Sequence, residues 1–192
     1  GILGRFPGNK VALRELNELN EFVTLPDSTF LEKKFEELSM LSRQQLFDQV
    51  IDQSELLLDK YPNAFLIWNL RGASAAQIGK IEIAEEAFKK AIELNPGYPD
   101  GHNNLGNIFE ARGQLSKALS AYSRAIRLRP EYVEAQSNLG NVLYRLQKTG
   151  EAVRAYLRAI EIDPLYAEAH FNMGIALASQ GRYEQAVEAC LL

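Results

Sequence analysis

Asparagine side chains recur at a fixed interval in this chain, and they are its residues best suited to bind a ligand. Asn104, Asn138 and Asn172 lie 34 residues apart, and Asn107 and Asn141 are separated by the same interval. A primary amide both donates and accepts hydrogen bonds, so a ladder of such groups could hold the backbone of an extended peptide. The same amides could instead bridge neighbouring helices or face water, and the sequence leaves these alternatives open.

The other candidates for chemistry are two histidines and one cysteine. His102 and His170 occupy equivalent places two repeat lengths apart, too far to share a metal ion, and we interpret them as residues at the edge of a core. Cys190 has no disulfide partner, and we expect a small buried residue rather than a nucleophile. Lys148-Thr149 lacks the preceding glycines of a phosphate-binding loop. The sequence therefore predicts no catalytic residue, no cofactor and no metal site.

The overall composition is that of a folded protein without a strong charge bias. Of the 192 residues, 46% are hydrophobic and 24% are charged, and the net charge is −4. A chain without a basic surplus is not expected to bind nucleic acid. No apolar run reaches the roughly 20 residues that a membrane helix needs, so no membrane contact is expected. We expect a cytoplasmic protein.

Basic residues form a second ladder with the same interval. Lys90, Arg124 and Arg158 lie 34 residues apart, and Arg127 and Arg154 are close to them in sequence. We interpret this ladder as a solvated convex face. Contact with nucleic acid or another anionic surface is the alternative.

Glycine, proline, tyrosine and alanine also recur every 34 residues, which indicates a repeat protein. The ladders are Gly72, Gly106, Gly140 and Gly174; Pro96, Pro130 and Pro164; Tyr98, Tyr132 and Tyr166; and Ala84, Ala118, Ala152 and Ala186. We number each repeat from position 1 to position 34. The copies are then residues 65–98, 99–132 and 133–166, with a truncated copy at 167–192.

Each repeat is predicted to contain two helices. The proline at position 32 and the polar stretch near positions 15 and 16 are helix breakers that bound them. Both helices carry an apolar stripe, and the glycine at position 8 would let a neighbouring helix approach closely. A hairpin this short cannot bury both stripes alone, so neighbouring repeats must stack on it. The predicted fold is all-α, an α-solenoid of antiparallel helix pairs.

The pattern is weaker upstream of residue 65. Residues 31–64 fit a degenerate copy, with Leu38 at position 8 and Ser54 at position 24. Residues 1–30 are interpreted as the stub of a preceding repeat plus a helical linker, and Ser28 is a candidate N-cap after Pro26. Neither end of the chain carries a capping signal, so we expect a piece of a longer polypeptide.

The repeat resembles the tetratricopeptide repeat. The second copy carries the pattern with little deviation, as Asn104-Leu105-Gly106, Phe109, Gly113, Ala118, Tyr122, Ala125 and Pro130. In the first copy Trp68 supplies the aromatic residue of position 4, whereas Arg71 replaces the usual leucine. The resemblance implies a right-handed α-α superhelix.

The resemblance also implies where a partner would bind. Positions 2, 5, 6, 9, 12 and 13 of the first helix would line the concave groove, where this family usually binds peptides. The candidate contact residues in the groove are Asn69, Asn103, Asn104, Asn107, Asn138, Asn141, Tyr144 and Asn172. Positions 2 and 5 carry no cation, so a clamp for the terminal carboxylate of a chaperone tail is not expected.

The segment from Pro130 to Asn141 is similar to the superhelical repeats that precede catalytic domains in O-linked N-acetylglucosamine transferases and in bacterial multidomain proteins. We therefore hold two hypotheses: a non-enzymatic scaffold that binds a protein or peptide partner, or the substrate-recruiting arm of a larger glycosyl-, sulfo- or methyltransferase. The truncated last repeat leaves Ala186, Val187 and Cys190 without a next neighbour. We expect self-association through that face.

Overall fold

The computed structural model describes residues 25–190, and this part of the chain folds into ten α-helices without a strand. The all-α prediction is confirmed. The helices are α1 Leu25–Arg43, α2 Phe47–Lys60, α3 Phe65–Gln77, α4 Ile81–Leu94, α5 Pro99–Ala111, α6 Leu115–Leu128, α7 Val133–Arg145, α8 Thr149–Ile162, α9 Ala167–Ser179 and α10 Tyr183–Cys190.

The described residues divide into two compact units, one on each side of the bond between Pro96 and Gly97. The first contains α1–α4, and the second contains α5–α10. In the second unit each odd-numbered helix packs against the even-numbered helix that follows it, and α6 and α8 also pack against α7 and α9. Short connections make consecutive helices antiparallel. These stacked pairs confirm the solenoid architecture. Every helix within residues 25–190 is too short or too polar to cross a membrane.

The turn inside each repeat requires a left-handed backbone at position 15. Gly79, Gly113 and Gly181 have φ values of 74°, 70° and 76°. Glycine adopts this region without a steric penalty, which explains its recurrence. The third repeat has Gln147 at φ 62° instead, and Gln45, at the same position of segment 31–64, has φ 61°.

The two helices of a repeat approach each other through the glycine at position 8. A Cβ atom added to Gly106 would lie 2.5 Å from the ring of Tyr122, at position 24. The equivalent atom on Gly72 would lie 2.8 Å from the ring of Phe88. No real Cβ fits at these distances, so the aromatic ring occupies the space that a side chain at position 8 would fill.

Two local expectations are wrong, and a third lies outside the described residues. Ser28 is not an N-cap, because α1 begins at Leu25 and continues through it; Pro26 is tolerated in the first turn, whose N–H groups need no helical partner. Cys190 is exposed rather than buried. Its short side chain lies at the last described helical residue, where no further described helix covers it. The stub and linker assigned to residues 1–30 fall mostly on residues that the structure does not describe.

Candidate functional site

The first helices of three successive repeats, α5, α7 and α9, bring the recurrent asparagines together. Positions 6 and 9 are three residues apart on a helix, so their side chains share one face. The helices α5 and α7 are in direct contact, as are α7 and α9. We call the position 6 and position 9 asparagines of these helices the amide ladder: Asn104, Asn107, Asn138, Asn141 and Asn172.

Amides of neighbouring repeats are hydrogen-bonded to each other. Asn138 Nδ2 lies 3.2 Å from Asn107 Oδ1 and 3.3 Å from Asn103 Oδ1, and it donates to both. One repeat further on, Asn172 Nδ2 donates to Asn141 Oδ1 over 3.0 Å. The ladder therefore bridges adjacent helices, which was one of the alternatives left open by the sequence.

A tyrosine from the second helix of the same repeat supports each position 9 amide. The hydroxyl of Tyr122 donates to Asn107 Oδ1 at 2.7 Å, and the hydroxyl of Tyr156 donates to Asn141 Oδ1 at 2.8 Å. Burial, reinforced by the charge of Glu110, raises the pKa of both tyrosines well above the usual value, so the hydroxyls stay protonated donors. Asn141 Oδ1 thus accepts from both Tyr156 and Asn172, whereas Asn107 Oδ1 accepts from Asn138 and shares the single proton of the Tyr122 hydroxyl with Glu110 Oε2.

Each hydrogen-bonded pair of asparagines has polar atoms that make no contact within the described residues. The Nδ2 atoms of Asn107 and Asn141, and the Oδ1 atoms of Asn138 and Asn172, have no partner among residues 25–190. All four residues are half-buried. Each pair, Asn107 with Asn138 and Asn141 with Asn172, therefore keeps one NH2 group and one carbonyl oxygen without a partner among the described residues.

Two of the predicted contact residues lie deeper than the ladder. Asn69 is 6% exposed and Asn103 is 5% exposed. The Oδ1 atom of the buried Asn103 accepts a hydrogen bond from Asn138 and so helps to position that ladder residue. Both side chains are too buried to form a contact surface for a partner.

A carboxylate and a cation, which the sequence analysis did not single out, lie beside the ladder. Glu110 Oε1 accepts from Arg145 of the next repeat over 3.1 Å, and its Oε2 atom lies 3.0 Å from the Tyr122 hydroxyl. Nothing in the 34-residue pattern predicts this pair, because position 12 is glutamate only in the second copy. Tyr144 occupies position 12 in the third copy and is half-buried.

Tyr144 and Arg145 also line a cavity of about 540 Å³ at the end of α7. The other residues around it are Leu115, Gln147, Thr149 and Ser179, from three successive repeats. Tyr144 and Arg145 lie one helical turn after Asn141 on α7, so the cavity is close to the ladder along that helix. It offers a mixed polar and aromatic surface next to the amides.

The acidic residue at position 2 of the second copy is already engaged. Asp100 accepts from the two terminal guanidinium nitrogens of Arg129, at 3.1 and 2.8 Å, and from the Tyr132 hydroxyl at 2.7 Å. The paired geometry is the strongest arrangement available to an arginine and a carboxylate. Asp100 therefore stabilises the repeat.

Histidine at position 4 replaces an aromatic N–H donor. The Nε1 atom of Trp68 donates to the carbonyl oxygen of Pro62 over 2.8 Å, and His170 Nε2 lies 3.0 Å from the carbonyl oxygen of Pro164. Both contacts join position 4 to the proline six residues earlier. Within the described residues, no group of three or more His, Cys, Asp or Glu side chains could hold a metal ion.

The basic ladder is partly neutralised by neighbouring carboxylates. Lys90 pairs with Glu93 at 2.8 Å, and Arg158 pairs with Glu161 at 3.0 Å, both at i,i+3 spacing. These side chains are exposed, and such pairs contribute little to stability. The arrangement is typical of a solvated helix surface.

Models of known families match most of the repeat region. The model described as TPR repeat matches residues 106–147 and 140–181. Two models described as tetratricopeptide repeat match residues 87–120 and 65–98. The matches together run from residue 65 to residue 181, which is more than half of the chain.

A curated relative and two solved structures are similar to parts of the chain. The peroxisomal targeting signal receptor of Saccharomyces cerevisiae is 36% identical over 80 residues, which are 38% of this chain and 13% of the receptor. The crystal structure of MamA has a TM-score of 0.74 and 25% identity, covering 80% of this chain and 90% of MamA.

The structure of YrrB, described as a TPR protein with an unusual peptide-binding site, has a TM-score of 0.69 and 22% identity. It covers 93% of this chain and 88% of YrrB. The 34-residue period, the packing of an aromatic ring at position 24 on the glycine at position 8, and the matches to family models agree. The chain belongs to the tetratricopeptide repeat family.

Proposed function

We propose that the chain is a protein-interaction module whose amide ladder binds the backbone of an extended partner segment. The observation that carries the proposal is that each amide pair has some polar atoms hydrogen-bonded within the protein and others unused. In each pair the Oδ1 atom of one asparagine is held by a buried tyrosine and by the Nδ2 atom of the other asparagine, so one NH2 group and one carbonyl oxygen remain unused. Neighbouring peptide units of an extended chain offer the matching acceptor and donor.

Fixing the amides in advance favours binding. A side chain that is already ordered loses little conformational freedom when a ligand arrives, so the cost of ordering falls on the peptide alone. Each neutral hydrogen bond contributes about 0.5–1.5 kcal/mol net. Backbone contacts therefore supply affinity that is independent of partner sequence, and side-chain contacts along the ladder supply specificity.

The comparisons support a binding role of this class. The yeast relative is a receptor for a targeting signal, and YrrB is described by its peptide-binding site. The matched stretch is 13% of the yeast receptor, so its activity as a whole is not carried over to this chain. The proposal assigns no catalytic step to residues 25–190: the groups that face the partner are amides, which bind without transferring protons.

The test uses peptides selected from a random 12-residue library displayed on phage, with the purified chain as bait. Asn141→Asp keeps an oxygen that accepts from Tyr156 and Asn172 but replaces the unused donor by a second oxygen. We expect affinity for a selected peptide to fall roughly ten- to a hundredfold, since a peptide carbonyl would then face a carboxylate. The melting temperature should change little.

The matched control is Tyr156→Phe, which removes the support and leaves the unused donor of Asn141 in place. It should lower stability by about 1 kcal/mol and weaken binding by only about threefold, because Asn141 loses part of its ordering but keeps the NH2 group that would bind the peptide. Arg124→Gln with Arg158→Gln tests the opposite face and should alter only the salt dependence of binding. If the arginine variant loses binding and the Asn141→Asp variant does not, the proposal is wrong and the partner binds the basic ladder instead.

A further inference from the structure

The two amide pairs with unused atoms are one repeat apart, and this spacing constrains the conformation of a bound chain. The first pair is Asn107 Nδ2 with Asn138 Oδ1, and the second is Asn141 Nδ2 with Asn172 Oδ1. The inference rests on the proposed function, and it asks which backbone conformation brings equivalent peptide units to both pairs.

The separation of the pairs follows from helix packing. Asn138 of α7 bonds directly to Asn103 and Asn107 of α5, and Asn172 of α9 bonds directly to Asn141 of α7. Helices in such direct contact have axes about 8–10 Å apart. Equivalent atoms of the two amide pairs are therefore separated by about the same distance.

A β-strand does not match this separation. Residues on one face of a strand recur every second residue, at about 6.6 Å, and the third residue points to the opposite face. A polyproline II helix has three residues per turn and rises about 3.1 Å per residue, so the same face recurs every third residue at about 9.3 Å. It also forms no internal hydrogen bonds, which leaves every N–H and C=O group available to the amides.

We propose that the partner binds as a polyproline II segment, with the backbone of every third residue hydrogen-bonded to successive amide pairs. The two residues between contacts face away from the ladder and need no free N–H group. Proline is therefore compatible with two positions in every three. The ring of Tyr144 lines the adjacent 540 Å³ cavity and gives the segment an aromatic surface of the kind that polyproline II ligands use.

The test is an N-methyl scan of a 12-residue peptide selected against the full chain, with one backbone amide methylated in each variant. N-methylation removes one N–H donor. We expect affinity to fall about three- to tenfold at positions that are three residues apart and to change less than twofold elsewhere. A second peptide, with proline at those insensitive positions where alanine also leaves affinity unchanged, should bind as tightly as the parent.

The outcomes separate this inference from the proposed function. Sensitive positions two residues apart, uniform sensitivity, or loss of binding in the proline-substituted peptide would overturn the polyproline II assignment. If binding still depends on Asn141 in those cases, as judged by Asn141→Asp, the amide ladder remains the binding surface. If binding is insensitive to Asn141→Asp, the proposed function fails, whatever the scan shows.

Discussion

The hydroxyl oxygen of Tyr122 lies 2.7 Å from the Oδ1 atom of Asn107, so one residue joins the packing of the repeat to its candidate binding surface. The ring of Tyr122 occupies the space beside Gly106, where an added Cβ would lie 2.5 Å from the ring. A change at the glycine must therefore move the ring and, with it, the support of the amide. Fold and site share the same contact.

Substitution of a position 8 glycine should destabilise the protein. In Gly140→Ala the new Cβ would collide with the Tyr156 ring, which is 2% exposed and has little room to move. We expect the free energy of unfolding to fall by about 1–3 kcal/mol in urea titration, as for other overpacked cores. Gly150→Ala is the matched control, because its Cβ meets nothing within 4 Å, and it should be neutral or slightly stabilising. Equal losses in the two variants would contradict the close-approach explanation.

The substitution Gln147→Gly should increase the stability of the protein. Its φ of 62° lies in the left-handed region, which costs a residue with a side chain about 1–2 kcal/mol, whereas glycine occupies it freely. After the greater entropy loss of glycine is subtracted, we expect a net gain of about 0.5–1 kcal/mol. The reverse change, Gly113→Gln, should lower stability by a similar amount. Thermal melts that show Gln147→Gly to be destabilising would contradict this reasoning.

The repeat pattern predicts the helix pairs because it records contacts within one repeat. Position 8 glycine and position 24 aromatic are such a contact, and so is the tyrosine hydroxyl with the position 9 amide. The sequence already carried this second signal: Phe88 accompanies Ala73, whereas Tyr122 and Tyr156 accompany Asn107 and Asn141. Comparison of copies would have identified the supporting tyrosines.

Contacts that depend on a single copy could not be predicted in this way. Arg71 stands where the three later copies have leucine or methionine, and its guanidinium donates to the Ile51 carbonyl at 2.7 Å and to Glu55 at 3.1 Å. The contact of Glu110 with Arg145 is of the same kind. Both depend on how neighbouring repeats are placed, which a single repeat does not encode.

Alkaline pH should destabilise the protein through its buried tyrosines. Burial, followed by the charge of Glu110, raises the pKa of Tyr122; burial, followed by the charge of Asp100, raises the pKa of Tyr132. The unfolded chain loses these protons near pH 10 and the folded chain does not, so the stabilisation is complete below pH 10 and falls as the pH rises above it. Urea titrations from pH 8 to 11 should show this decline. Tyr122→Phe should show a shallower decline, and parallel curves for the two proteins would contradict the assignment.

The last described repeat exposes apolar side chains, and we expect the isolated 192-residue chain to self-associate through them. Phe171, Tyr183 and Val187 are 60%, 69% and 60% exposed, whereas Ser137 and Val153, at the positions of Phe171 and Val187 in the preceding copy, are buried. A second copy that covers this face would bury the same positions. Sedimentation should show concentration-dependent association that Val187→Asp weakens. A monomer at all concentrations would contradict the prediction.

The central claim is that a partner contacts the unused atoms of the amide ladder, and the side-chain amide resonances of asparagine report on it directly. In ¹H–¹⁵N spectra recorded during titration with a selected 12-residue peptide, the Nδ2 signals of Asn107 and Asn141 should shift and saturate together with binding. Substitution of each asparagine in turn by aspartate assigns the signals. Shifts confined to residues around Arg124 and Arg158, with both asparagine signals unchanged at saturation, would contradict the claim.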